Sequence, residues 1–190
     1  FKTSDYFGKK GSMNKKYAFQ AGIKHVDFLG IPNLDLQAEL NLARPYTYSH
    51  FTGYTNYVHN DLSLAHPLGA NFWEVLGIAR YQPTRRLTFY GTFSRSNKGI
   101  DIDERNWGGN IYRNYLKDAP RETGTYRGQG TPVDVTFSDV RASYMLKHNF
   151  FIDGRLMFRN QVSPAASINL KTNLATVGFR LNLPYRQQVF

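Results

Sequence analysis

Leu34-Asp35-Leu36-Gln37-Ala38-Glu39-Leu40-Asn41-Leu42 puts an apolar residue at every even position and a polar one between. Successive side chains of an extended chain point to opposite faces, so this alternation reads as a two-faced strand. One face is continuous and apolar. The other carries Asp35 and Glu39 and must meet water or a hydrated lumen. Arg44, Pro45 and a loop rich in Tyr and His follow, closed by His66-Pro67-Leu68-Gly69.

The same period of two recurs along the chain. Tyr17, Phe19, Ala21 and Ile23 alternate with Ala18, Gln20, Gly22 and Lys24, and a turn follows at Gly30-Ile31-Pro32-Asn33. Between Phe72 and Tyr81 the set Trp73, Val75, Gly77, Ala79 and Tyr81 is free of charge, and the opposite set holds Glu74 and Arg80. Gln82-Pro83-Thr84-Arg85 reads as a short turn into Leu87, Phe89, Gly91 and Phe93. Two further apolar sets are Val140, Ala142, Tyr144 and Leu146, and Phe150, Ile152, Gly154, Leu156 and Phe158. A last set runs Ala175, Val177, Phe179, Leu181 and Leu183. Seven strands are predicted.

The connections alternate in length. Those near 29–33, 82–85 and 147–149 are short, whereas 43–70 and 95–134 are long and 163–173 is intermediate. About forty residues without a period are foreign to a compact soluble domain. Short turns at one end and long loops at the other are the habit of an outer-membrane β-barrel, whose long loops are extracellular. Mean hydropathy is −0.50, which such a barrel tolerates because lipid-facing and lumen-facing residues alternate. No run reaches the roughly 18 apolar residues of a transmembrane helix. Aromatic residues make up 15% of the chain, and Tyr17, Phe28, Tyr81, Phe150, Phe158 and Tyr185 fall at strand ends, where an interfacial girdle would sit. A seven-stranded β-sandwich is the soluble rival. An odd strand number leaves an edge in lipid, so the expectation is an all-β fold: the C-terminal seven-strand part of a larger antiparallel transmembrane β-barrel of the bacterial outer membrane. Residues 1–190 form one barrel region on this reading.

The chain has no cysteine, which removes disulfides, thiolate metal sites and cysteine nucleophiles. Its formal charge of +10 is spread without a basic stripe, so no nucleic-acid partner is expected. No nucleophile elbow, phosphate-binding loop or dinucleotide fingerprint is present, and neither an enzyme nor a cofactor is expected.

Asn33 to Glu39, then Arg44-Pro45-Tyr46-Thr47-Tyr48, then His66-Pro67-Leu68-Gly69-Ala70-Asn71 resemble the Wzi-like capsule-assembly family in its Bacteroidota form. Asn106-Trp107-Gly108-Gly109 is compatible with it, and the likeness covers mainly residues 33–115. The resemblance implies a large outer-membrane barrel that helps to assemble or retain surface polysaccharide by binding. Similar barrels accompany gliding motility and type 9 secretion, so a structural or accessory barrel in contact with other envelope proteins is the alternative. A solute porin is a third.

Candidate sites follow. Tyr46, Tyr48, Tyr54, Tyr57, Trp107, Tyr112 and Tyr115 are aromatic platforms for the C–H faces of sugars, with His50 and Arg113 beside them; Arg105 and Arg113 suit acidic sugars. The competing reading packs most of these rings together over the barrel mouth. His50, His59 and His66 share a loop with Asp61, but their spacing matches no compact metal motif and no metal is expected. Asp101-Ile102-Asp103-Glu104 lacks the glycine and spacing of a calcium loop. Glu39, Glu74, Arg80, Asp139, Arg141, Arg155, Arg159 and Arg180, with Lys24, Asp35 and Asp153, are expected to face a lumen closed by ion pairs.

Overall fold

A computed structural model describes residues 11–60, 62–102 and 104–182. Leu183, Tyr185, Asp61 and Asp103, named in the sequence analysis, lie outside them. The fold is all-β. Its strands are β1 (Ala18–His25), β2 (Leu34–Ala43), β3 (Val58–His59), β4 (Leu62–Ser63), β5 (Phe72–Thr84), β6 (Leu87–Ile100), β7 (Thr131–Lys147), β8 (Phe150–Ser163) and β9 (Ile168–Leu181). Seven form one antiparallel sheet in the order β1-β2-β5-β6-β7-β8-β9, and β3 and β4 pair as a two-residue hairpin inside the first long loop. Each strand of the large sheet pairs with its neighbour in the meander. Among the described residues β1 and β9 remain edges, so the sheet is open.

Register carries the alternation across the sheet. Directly opposed residues share a face, and His25, Leu36, Ala79, Gly91, Val140, Leu156 and Ala175 form one continuous row from β1 to β9. A second row joins Leu34, Tyr81, Phe89, Ala142, Gly154 and Val177. Both rows keep the faces assigned from the sequence. A slip by one residue in any pairing would exchange the faces of that strand.

The strands outrun their apolar pattern. The segment 95–134, expected as loop, contributes six residues to β6 and four to β7, leaving 101–130 as the connection. Gln82-Pro83-Thr84 belongs to β5, which bulges between Tyr81 and Thr84, and the turn is Arg85-Arg86. The expected 163–173 connection shrinks to a 3-10 turn, Pro164–Ala166, and Ser167 in a left-handed conformation. Ile168 to Leu174 read as irregular because Ile168, Leu170 and Leu174 fall on the polar face. The backbone ladder with β8 is nonetheless complete from Ser163–Ile168 onward.

Burial is distributed in an unusual way. The buried apolar residues are Met13, Ala43, Tyr46, Ala70, Phe72, Ile111 and Val133, all in the long loops, in the segment packed on them or at the strand ends beneath them. The apolar face of the sheet stays bare: Ile23, Val177 and Phe179 are each more than two-thirds exposed, and Phe93, Val140, Leu156 and Phe158 about half. Total accessible surface is 13033 Å², against roughly 9,300 Å² for a globular monomer of this mass.

Candidate functional site

The antiparallel meander brings the 44–71 and 101–130 loops to the same end of the sheet. There they fold into one cap. Tyr46 is fully buried; its hydroxyl donates to the Asn106 carbonyl at 2.6 Å and its amide donates to the Gly108 carbonyl at 3.1 Å. Asn71 ties three backbones together. Its side-chain amide donates to the carbonyls of Gly99 (3.1 Å) and Gln129 (2.9 Å), and its Oδ1 accepts from Gly128 N (2.8 Å). Gln129 in turn donates to the Trp107 carbonyl at 2.8 Å. Two glycines are demanded by this closeness: a Cβ on Gly99 would stand 2.0 Å from the Gln129 carbonyl oxygen, and Gly108 has φ +80° with Tyr46 against it. Arg44 donates to the carbonyl and hydroxyl of Thr125, both at 2.9 Å, and Thr125 N reaches back to the Gly11 carbonyl. Buried polar groups of this kind are stable only when paired, and most here are.

His66 has a defined task. Its ring stacks on Phe72 at 4.6 Å, Nδ1 accepts from Leu68 N at 3.2 Å, and Nε2 faces Glu74 Oε2 at 3.0 Å. The bond at Nδ1 leaves Nε2 to donate. His66-Pro67-Leu68-Gly69 therefore clips the first loop to the polar face of β5. The turn was legible in the sequence; the clip was not, because Glu74 becomes its partner only when β5 is laid down.

The aromatic candidates divide. Tyr46 is internal and closed to a ligand, a correction to its place among the glycan-binding candidates that follows from its 0% exposure. Tyr48 stacks with Tyr57 at 5.9 Å. Tyr115 lies under the Lys16 ammonium at 3.7 Å, and Trp107 lies beside the Arg121 guanidinium at 5.8 Å. Arg113 donates to the carbonyls of Glu104 and Arg105, and His50 is exposed with its amide on Asn56. Tyr54, Tyr57 and Tyr112 present rings outward, as does Tyr126, which carried no signal in the sequence. Among the described residues no three His, Asp or Glu side chains converge.

Burial shifts several groups in the cap. The Tyr46 phenol is pushed up to about 12, chiefly by burial and then by the Asp101 charge. Burial lowers the Lys16 ammonium to about 8, although it donates to the Ser49 carbonyl at 2.7 Å. Asp101 is raised by burial, and the Trp107 amide at 2.8 Å on its Oδ1 opposes this.

Between the loops lies a cleft of about 620 Å³, lined by Leu62, Ser63, Pro67, Leu68, Lys98, Asp101, Asn110, Ile111 and Tyr112 among others. Sequence reasoning missed Lys98, which sits where the strand pattern had already ended.

The polar face of the sheet holds ladders of charge. Asp139 is buried and shared by Arg141 (2.9 Å) and Arg155 (Nε at 2.7 Å). Arg180 joins Asp153 at 2.7 Å and Ser143 at 3.0 Å while lying over the Phe151 ring. Glu74 also accepts from Asn41, Glu39 accepts from Gln20, and Arg159 donates to Gln161. Arg80 stands in register between Asp35 and Tyr90. Among the described residues these arginine–carboxylate pairs run sideways, within a strand or to the next one. Two arginines in direct register, Arg141 and Arg155, are reconciled by the carboxylate between them.

No family model, curated protein or solved structure matches the chain.

Proposed function

We propose that the chain is the C-terminal seven-strand part of a larger outer-membrane β-barrel of the Wzi-like kind, whose loop cap holds surface polysaccharide by binding. The observation that carries the membrane half is the bare apolar face. At about 25 cal/mol per Å², several large apolar side chains per strand do not stay in water when a hydrocarbon phase can take them. In the large sheet, β2 and the strands after it have 10–17 residues and match or exceed the roughly 9–11 needed for a tilted span. The polar face pairs its own charges, which suits a hydrated interior. The two edges call for more strands, since each unpaired backbone group in lipid costs several kcal/mol.

For the cap, support comes from its rigidity and its outward rings. The Asn71 and Tyr46 hydrogen bonds fix the base of the cap, Tyr57 stacks on Tyr48 above it, and Tyr54 stands fully exposed beside them. The test is a cell that makes surface polysaccharide and carries Tyr54→Ala with Tyr57→Ala. Cell-bound polysaccharide is expected to fall while the amount of protein in the outer membrane stays constant. Unchanged retention, with the protein co-purifying with other envelope proteins, would instead support the accessory role in gliding or type 9 secretion.

A further inference from the structure

We infer that the cleft between the two long loops is a binding site for a hydroxyl-bearing carboxylate, with Lys98 as its anion contact. Lys98 stands on the polar face of β6 with Phe72 and Val133 directly opposite it on the two neighbouring strands. Both are buried, at 1% and 5% exposure. The stem of Lys98 is thus flanked by two buried apolar residues while its Nζ reaches toward Gly69 at the cleft, and an ammonium half-removed from water is stabilised by an anion close by.

None of the described residues supplies one at contact. Among the described residues no carboxylate forms an ion pair with Lys98, and Asp101 acts on it through space. Asp101 lines the same cleft, with Oδ1 held by the Trp107 amide and Oδ2 buried without a hydrogen-bond partner among the described residues. The Lys98 ammonium is therefore left to the cleft it lines.

The walls define the rest of the ligand. Leu62, Pro67, Leu68 and Ile111 offer apolar surface to C–H groups, and the polar lining comes from Ser63, whose hydroxyl donates to the His66 carbonyl at 3.2 Å, from Asn110, whose Oδ1 accepts from Tyr112 N at 2.9 Å, and from Tyr112. The volume, about 620 Å³, lies in the range of small-ligand sites. A uronate unit of an acidic glycan and a free hydroxy acid share this chemistry. The glycan source rests on the function proposed above.

The experiment uses the full chain in detergent, titrated with glucuronate, a glucuronate oligomer, glucose and acetate by calorimetry. Binding of glucuronate or its oligomer is expected, with glucose and acetate weaker. Lys98→Met should weaken it about tenfold, the scale of one charged hydrogen bond, and Lys98→Arg should restore most of it. Tighter binding of the oligomer than of glucuronate assigns the site to a glycan; equal binding assigns it to a free hydroxy acid. Equal binding by Lys98→Met, or no binding of either uronate by the wild type, overturns the site. Loss of polysaccharide retention in the Tyr54/Tyr57 variant without uronate binding would leave the proposed function standing and remove the cleft. Uronate binding through Lys98 with retention untouched would do the reverse.

Discussion

The cap and the sheet obey opposite rules of burial. In the cap, the side chains hidden most completely include Tyr46, Asn71, Asn106 and Gln129, and their polar atoms are paired with backbone. On the apolar face of the sheet, Ile23, Val177 and Phe179 are each more than two-thirds exposed. The cap is folded as proteins fold in water, by excluding solvent from a satisfied polar core. The sheet is complete only in its hydrogen bonds. On the function proposed above, the difference means that one chain is built for two solvents, with the boundary near the point where β6 loses its apolar alternation after Phe93.

That boundary can be attacked from either side. The largest effect is expected on the apolar face. Val140→Arg, central on β7, should destabilise the protein in bilayers by about 3 kcal/mol, as arginine does at a membrane midplane. Thr176→Arg, on the polar face of β9, should change stability by less than about 0.5 kcal/mol. Urea titration in lipid vesicles, followed by gel mobility, measures both; equal effects would erase the contrast.

The next effect belongs to the cap. Asn71→Ala removes two donated bonds and one accepted bond and strands the Gln129 and Gly99 carbonyls in a buried site. A loss of about 2–3 kcal/mol is expected. It should appear as faster amide exchange across 101–130, with exchange in β6 to β8 unchanged below Ser94. Spread of the loss through the strands would show that cap and sheet are one cooperative unit.

The smallest effect is one of pH. Lys16 has its ammonium at about 8 in the fold and near 10.5 when free. Between those values the unfolded cap binds more protons than the folded one, so cap stability rises as pH increases from about 8 to 10.5. Below about 8 both states are charged and the penalty is constant. Denaturant midpoints read from Trp107 fluorescence in a Trp73→Phe background should rise over that window. Lys16→Met should flatten the rise.

Legibility in the sequence follows the same boundary. Where one face meets an apolar phase, side chains must alternate, and the strands and their outward sets could be read from Phe19 to Ile23 and from Leu34 to Leu42. Past Phe93 the alternation on β6 ends, and on β7 Val133, Val135 and Phe137 put apolar side chains on the opposite face. Arg95, Asn97 and Lys98 continue β6 with no period to announce them. The cap was illegible for a different reason: Tyr46 meets Asn106 across 60 residues and Asn71 meets Gln129 across 58. No local spacing encodes such contacts. Only the glycines and the left-handed Asn71, with φ +61°, hint at them.

The central claim, that the alternating face meets lipid, has a direct test that the absence of cysteine makes simple. Each residue from Leu87 to Ser94 is replaced in turn by cysteine, spin-labelled and studied in lipid vesicles for collision with oxygen and with a water-soluble nickel chelate. Oxygen contact should peak at 87, 89, 91 and 93, and nickel contact at 88, 90, 92 and 94. Labels at 87, 89, 91 and 93 shielded from both reagents, as inside a soluble sandwich, or open to nickel throughout, would contradict the account.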